Sequence, residues 1–507
     1  MLDGFGGLDM SGSCSERRMS AATNMSGDHA PMLAPRARRG LLGSVTSQGG
    51  ATSFAGKIVA ASGGTLTADG ETVYTGLEQC AHTFCEMSGR LVVLPEKLCV
   101  SSEFEVSPLE AEYIGPLTLS DGTYAGESAK ANTLTASVAL PFKVGDAITI
   151  TGMTNPGNNR SAVVREVSED AKTLRFYENT FTLEGSSQSE SAVTLSRSMP
   201  ELDFICACEN RLWGCSGDTI YACALGDPFN WNRFEGLSTD SYAVQSGSAG
   251  EFTACTTYMG YPTFFKRDAI YKVYGSSPSK YQLMASFTLG VEPGSAASLA
   301  VAGETLYYLS RAGFVAYTGG EPSRVSDSFG TARASGAVAG SDGVKYYVSC
   351  ALDGQRSLYV LDTRNGEWYR EDSSDAAALF MHGGALVMLT AAGGLVRVSG
   401  APVEGESTEE PVTWEATLGE CTLADTGFKR LGAVELRLSL APGASVSVAL
   451  SCDGGEFETV QSVAASPSGA LRKLRIVPRR CDRWQLRLSG AGEVKVGRIA
   501  SRVTASQ

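Results

Sequence analysis

NRLWGCSGDTIYAC, residues 210–223, reads as a short apolar strand, a polar Ser-Gly-Asp turn and a second strand ending in aliphatic–Tyr. The same unit returns as YPTFFKRDAIYKVY (261–274), ETLYYLSRAGFVAYTG (304–319), VKYYVSCALDGQRSLYVLDTRNGEW (344–368) and GALVMLTAAGGLVRVSG (384–400). A weaker pair, KIVAASGGTLTADGETVYTG (57–76) and GRLVVLPEKLCV (89–100), precedes it. Period-two alternation and short apolar runs bounded by Gly, Asp, Asn and Ser dominate, and helical periodicity is nearly absent, so the chain reads as all-β. From Leu212 onward the unit recurs every ~40–50 residues, the length of a propeller blade. A four-stranded blade cannot cover both its faces alone, and stacking blades around an axis seals them. The expectation is a β-propeller of about six blades; unrelated hairpins in sandwiches are the alternative.

Two segments break the repeat. Residues 102–196 hold FKVGDAITITGMTNPGNNRSAVVREVSEDAKTLRFYENTF (142–181), in which Ile148 and Ile150, Val164 and Val167, and Leu174 and Phe176 alternate ahead of Tyr177. NPGNN and SEDAK are turns, so this reads as a small barrel or sandwich inserted in a propeller loop. Beyond EGESTEEP (404–411), an acidic Pro-ended linker, come VELRLSL, SVSVALS, FETVQSV, LRKLRIV, WQLRLSG and VKVGRIA, the strands of an antiparallel sandwich. The opening residues are rich in Gly, Pro and Arg and read as an extended arm. The expected order is therefore an arm over 1–55, first blade or blades over 56–101, the insert over 102–196, remaining blades over 197–403 and the sandwich over 404–507.

Length, 507 residues, exceeds one ordinary core. A hydrophobic content of 43% with 19% charged residues excludes a disordered chain, and no run of ~18 apolar residues exists to span a bilayer. The N-terminus lacks the basic patch and apolar stretch of a secretory signal. Net charge is −13, a poor basis for nucleic-acid binding, which rests on neutralising phosphates; it suits ordinary solubility or a surface past which DNA slides. The 13 cysteines are scattered and odd in number, so they read as free, mostly buried thiols made in a reducing cytosol. Cys206 and Cys208 form a C-x-C pair on one strand face, with Cys215 beyond and no second pair at zinc-ligand spacing.

No constellation for catalysis emerges, and no cofactor or metal is expected. His29, His82 and His382 lie outside any nucleophile-elbow or HExxH context. AGKIV (55–59) lacks the spacing and hydroxyl of a phosphate loop. SCDGGEFETV (451–460) matches Ser451, Asp453 and Gly455 of a sialidase-type turn but fails at its Thr-Trp, and reads as a tight hairpin whose Asp bonds its own backbone. The strand aromatics, among them Trp213, Tyr221, Phe264, Tyr271, Tyr308 and Tyr346, read as core and inter-blade packing. Candidate subunit contacts are Phe5, Arg36, Arg38 and Arg39 in the arm, with Phe229 and Trp231 in the Pro-set turn GDPFNW (226–231). Loop packing within the chain is the other reading of that turn.

The run from Asn210 to Gln282, the insert motif FKVGDAITITGMT…NNRSAVVREV…LRFYENTF, the ending IVPRRCDRWQLRLSGAGEVKVGRIA (476–500) and the arm's GGLDM and P-x-L-x-P-R-x-x-R-G together resemble bacteriophage and prophage tail proteins. The arm in particular resembles the N-termini of propeller-bearing tail hub and nozzle subunits of short-tailed phages. The resemblance implies a virion structural protein, assembled in the host cytoplasm and located in the tail. It implies a homo-oligomeric ring, commonly of six, that extends and gates the DNA channel without sequence-specific binding. Its partners would be the portal or adaptor and other tail proteins or fibres. A receptor- or glycan-binding baseplate or tail-tip protein is the alternative, and a propeller glycosidase a third.

Overall fold

The computed structural model describes residues 2–45, 49–422, 429–464, 470–474 and 479–505. The fold is all-β; the only helices among the described residues are four single 3-10 turns. Contacts divide the chain into two compact units, Met1–Gly63 with Val291–Gln507, and Gly64–Gly290.

The repeated sequence unit forms antiparallel meanders of four strands; in the sheet that begins at Ala376–His382 the fourth strand is Gly40–Ser44 and Ser407–Thr408 adds a fifth. The second unit holds three whole meanders. They begin at Thr83–Met87, Phe204–Cys208 and Ala254–Tyr258 and end at Val106–Pro108, Tyr242–Gln245 and Gln282–Ser286. The first unit holds three others, beginning at Ala300–Ala302, Ala334–Ser341 and Ala376–His382. Ala51–Phe54 pairs Lys57–Ser62 in the first unit, and Thr65–Ala68 pairs Glu71–Thr75 in the second.

A common turn explains the regular pairing. The first two strands of five meanders are joined by two residues, Ala55-Gly56, Ser88-Gly89, Glu209-Asn210, Met259-Gly260 and Gly383-Gly384, all at positive φ. That is the mirror-image turn whose twist matches a β-hairpin.

Within each unit the first strands of successive meanders lie side by side: Thr83–Met87, Phe204–Cys208 and Ala254–Tyr258 in one, and Ala300–Ala302, Ala334–Ser341, Ala376–His382 and Ala51–Phe54 in the other. Apolar faces are sealed by the neighbouring meander. Trp213, Cys215 and Ile220 pack with Phe264, Tyr271 and Val273; Tyr347, Leu358 and Val360 pack with Leu386 and Met388. Trp213 meets Tyr281 edge-on at 5.2 Å. The strand aromatics are thus core, as their alternation implies.

The insert is one seven-stranded sheet. Its edges, Ser161–Val163 and Glu166–Val167, are consecutive pieces of one bent segment, so the sheet curls into a half-barrel. Ile148, Ile150, Val164, Leu174 and Phe176 are fully buried inside it. The preceding meander includes Val106–Pro108, so the insert's sheet runs from Ala111 to Arg197 rather than from 102.

The C-terminal region is a two-sheet sandwich. Leu431, Leu436 and Leu438 face Val446, Val448 and Leu488 across its core. LRKLRIV lies partly outside the described residues.

The described residues among 1–55 are not an extended arm. Met19–Thr23 pairs Thr413–Leu418 at the edge of a sandwich sheet, Leu2 bridges Ile499, and Gly40–Ser44 pairs Gly394–Arg397 as the fourth strand of the Ala376–His382 meander. Their few apolar groups suffice because the backbone hydrogen bonds are made to strands already formed elsewhere. No helix among the described residues is long and apolar enough to cross a membrane.

Candidate functional site

Four of the six candidate subunit contacts are interior. Phe5 is buried, its N–H donating to Pro31 O at 2.9 Å. Arg36 and Arg39 are buried in an ion-pair knot with Glu371, Asp372 and Glu409. Arg39 Nη1 reaches Asp372 Oδ2 at 2.7 Å, and Arg36 Nε donates to Asn24 Oδ1 at 2.8 Å. Lys345 pairs with Asp28, Arg364 with Asp362, and Arg397 with Glu406 around the same polar cavity of about 250 Å³. Burial opposes the charge on Asp372, but Arg39, the hydrogen bonds from Ser374 and Arg36 together outweigh it and hold the carboxyl below its ordinary value. EGESTEEP is accordingly no free linker: Glu406 and Glu409 are tied to arginines, and Ser407–Thr408 pairs the Gly40–Ser44 strand. Of Arg36, Arg38 and Arg39, Arg38 alone is exposed, with Nε on Glu409 O at 2.7 Å.

Trp231 is also interior, donating Nε1–H to Pro228 O at 2.9 Å and packing with Cys85, Met87, Leu212 and Cys223. Phe229 is half-buried beneath three cations, Arg197 at 5.1 Å, Arg90 at 5.6 Å and Lys143 at 5.9 Å. Buried Asn230 accepts from Ala147 N–H at 2.7 Å. GDPFNW therefore clamps the inserted barrel to its own unit. The neck of the insertion is held as well. Arg197, where the chain leaves the barrel, pairs with buried Asp146 and donates to Leu109 O at 3.1 Å, where the chain enters. Lys97 bonds Glu110 at 2.8 Å and Met199 O at 3.2 Å. The barrel is a fixed part of the unit, not a tethered one.

Past Trp231 the same loop runs along the barrel and leaves an open cleft of about 290 Å³. Two aromatics that face solvent line it, Tyr177 at 59% and Phe234 at 62% exposure. Tyr177 follows Phe176 on an alternating strand, so it points out where Phe176 points in. The Arg165 guanidinium lies 4.1 Å over the Tyr177 ring and pairs with Glu235, which also meets Arg233 at 3.3 Å. The loop is set by buried Asp240, which accepts from the Glu235 and Leu237 amides. Arg160, Glu178, Asn179 and Asn232 complete a rim of planar polar groups with both charge signs. Sequence reasoning missed this site; the signal was the outward register of Tyr177.

The other sequence candidates lie apart. His82 Nε2 is 2.8 Å from Glu96, and His382 Nδ1 is 3.0 Å from Ser53 Oγ. Asp453 accepts from the Asp482 and Arg483 amides at 2.8 and 3.0 Å, capping a neighbouring turn rather than its own. Burial pushes the Cys223 and Cys350 thiols up to about 12 and Cys208 to about 11, which leaves them unreactive at neutral pH. Among the described residues no group of three His, Cys, Asp or Glu side chains is arranged to hold a metal.

No family profile and no curated protein matches the sequence. Among solved structures, an exo-β-1,3-galactanase from Phanerochaete chrysosporium with galactose is similar over 56% of this chain and 92% of that one, at 12% identity and a TM-score of 0.23. A variant of that enzyme with β-1,3-galactotriose matches 57% and 96% at 10% identity and 0.21. The endosialidase of phage phi92 matches 69% of this chain and 61% of its own length, at 11% identity and 0.23. Likenesses at these scores carry no argument about fold or function.

Proposed function

We propose that this chain is a structural subunit of a bacteriophage tail, in which the meanders serve as propeller blades. In this reading copies of the chain form a hub or nozzle ring that extends and gates the DNA channel and docks the portal or adaptor and other tail proteins. The sequence resemblance of the arm, the Asn210–Gln282 run and the insert motif supports the family. The side-by-side first strands and sealed faces within each unit support the blade reading.

The observation that carries a structural role is the way the N-terminal segment is sewn in. It supplies the closing strand of one meander and an edge strand of the sandwich, and its Leu2 bridges Ile499. A wall around pressurised DNA gains from such closure, because opening it requires breaking pairings between residues 350 or more positions apart rather than fraying an end.

The test is two-part. Native mass spectrometry of the full chain, alone and in tail assemblies, is expected to give a closed ring. Antibody labelling of virions is expected to place it next to the portal. A chain that stays monomeric in the assembled particle, or labels the distal tip alone, would sink the reading.

A further inference from the structure

We propose that the cleft between the inserted barrel and the loop after Trp231 binds a neutral saccharide, with a pyranose ring stacked on Tyr177 and Phe234. This goes beyond the ring reading and does not depend on it.

The case begins with exposure. Trp213, Phe264 and Tyr271 of the same unit are buried between meanders, whereas Tyr177 and Phe234 are more than half exposed and line one concavity. Exposed aromatic faces cost solvation unless something covers them, and a pyranose offers an apolar C–H face for that purpose. Arg165 covers one face of Tyr177 and is itself held by Glu235, so the ring is fixed with its other face as the stacking surface. A site ready before the ligand arrives loses little affinity to ordering.

The rim fits hydroxyls. Asn179, Asn232 and Arg160 offer amide and guanidinium hydrogen bonds, and the carboxylates of Glu178 and Glu235 accept them. Arg160 uses one N–H on Thr180 O at 3.2 Å, which leaves donors of its five for a ligand.

Charge selects the class. Arg160 and Arg165 are balanced by Glu178 and Glu235 in the cleft, and Arg165 is already paired. An anionic sugar or a nucleic acid would face two carboxylates in a lining with equal numbers of cations and carboxylates, the adjacent Lys130 and Arg233 being already paired with Glu178 and Glu235. The volume, about 290 Å³, lies at the small end for ligand pockets and suits one or two rings rather than a long polymer segment.

The experiment uses the full chain and soluble probes: lactose, cellobiose, maltose and chitobiose as neutral disaccharides, and N-acetylneuraminic acid and a short single-stranded DNA as anionic ones. Saturation-transfer NMR and calorimetry are expected to show at least one neutral disaccharide binding at millimolar concentration or tighter. Phe234→Ala and Tyr177→Ala should each weaken it by about fivefold or more, the loss of one ring stack, with the melting temperature of Phe234→Ala unchanged. The exposed Phe234 makes its variant the decisive one if Tyr177→Ala disturbs Arg165. Binding of the anionic probes alone, no neutral sugar bound, or affinity unaltered in Phe234→Ala would each overturn the proposal.

Discussion

Replacing Asp146 by Ala tests whether the barrel is bolted to its unit. Asp146 and Arg197 have side-chain exposures of only 6% and 7%, so their pairing is shielded from solvent. Removing the carboxylate strands the guanidinium and also deprives the Lys143 amide of its acceptor at 2.8 Å. Breaking a buried pair by deleting one partner costs ~3–5 kcal/mol. The lower end applies here, because Arg197 keeps its bond to Leu109 O and its place over Phe229. About 3 kcal/mol corresponds to a fall of roughly 6–12 °C in Tm for a unit of this size. The double variant Asp146→Leu/Arg197→Met should recover most of that loss, since the cost lies in the unpaired charge rather than in the missing bond. Thermal unfolding of the full chain, run as a double-mutant cycle, reads both numbers, and hydrogen exchange localises the loosening to the barrel. A shift below about 2 °C for Asp146→Ala would refute the reasoning, and so would a double variant as unstable as the single.

Three further outcomes follow from the same geometry. Gly393 sits at φ +90°, and a Cβ there would lie 2.2 Å from Val45 O. Gly393→Ala should therefore destabilise the closing strand by ~1–3 kcal/mol and expose residues 40–45 to limited proteolysis; unchanged cleavage would contradict it. Burial alone would raise the Asp362 carboxyl, but the hydrogen bonds of Arg364 reverse this and hold it below its ordinary 3.8. Its contribution is thus present above about pH 4 and lost as pH falls through the depressed value. Tm measured from pH 7 downward should drop in that window, and less steeply in Asp362→Asn; parallel curves would argue against the pairing. Iodoacetamide on the native chain should modify exposed Cys80 well ahead of Cys85, Cys99, Cys215, Cys223 and Cys350, which need unfolding first. Mass spectrometry of the labelled peptides checks the order.

What could be read from sequence was what is decided locally. Alternation over Leu174–Tyr177 assigns Leu174 and Phe176 inward, and both are fully buried. The aliphatic–Tyr strands mark the meanders because each strand needs a turn residue and an apolar face within a dozen positions. The N-terminal segment defeated the same logic. MSAAT and GLLGS carry little apolar signal, and what makes them strands is pairing with Thr413–Leu418 and Gly394–Arg397. Arg36 and Arg39 read as subunit contacts for the same reason, since Glu371, Asp372 and Glu409 arrive only on folding. In GDPFNW the proline turn was legible, but Trp231's pocket is built from Cys85, Met87 and Leu212 in other strands. The cleft needed two segments at once: Tyr177 is outward by register, yet nothing in the strand says that Phe234 stands beside it.

The buried ion pairs bear on function in a way that net charge does not. The net charge is −13, yet buried cations stand at joints: Arg197 at the neck of the barrel, Arg36 and Arg39 where the N-terminal segment meets the Glu367–Arg370 strand's end and the Ser407–Thr408 strand. Well-packed apolar residues would stabilise such joints as well or better, so stability alone does not account for them. Charge pairs add direction, because a guanidinium fork bonds in one plane and rejects a shifted register. The inserted barrel gains a defined placement on its unit from that directionality, and so does a cleft whose stacking ring is positioned by Arg165. The two uses meet in the barrel: the clamp made by Phe229 and Asn230 fixes the loop that then carries Phe234 and Glu235 into the cleft, so loosening the clamp should weaken the site before it unfolds the unit.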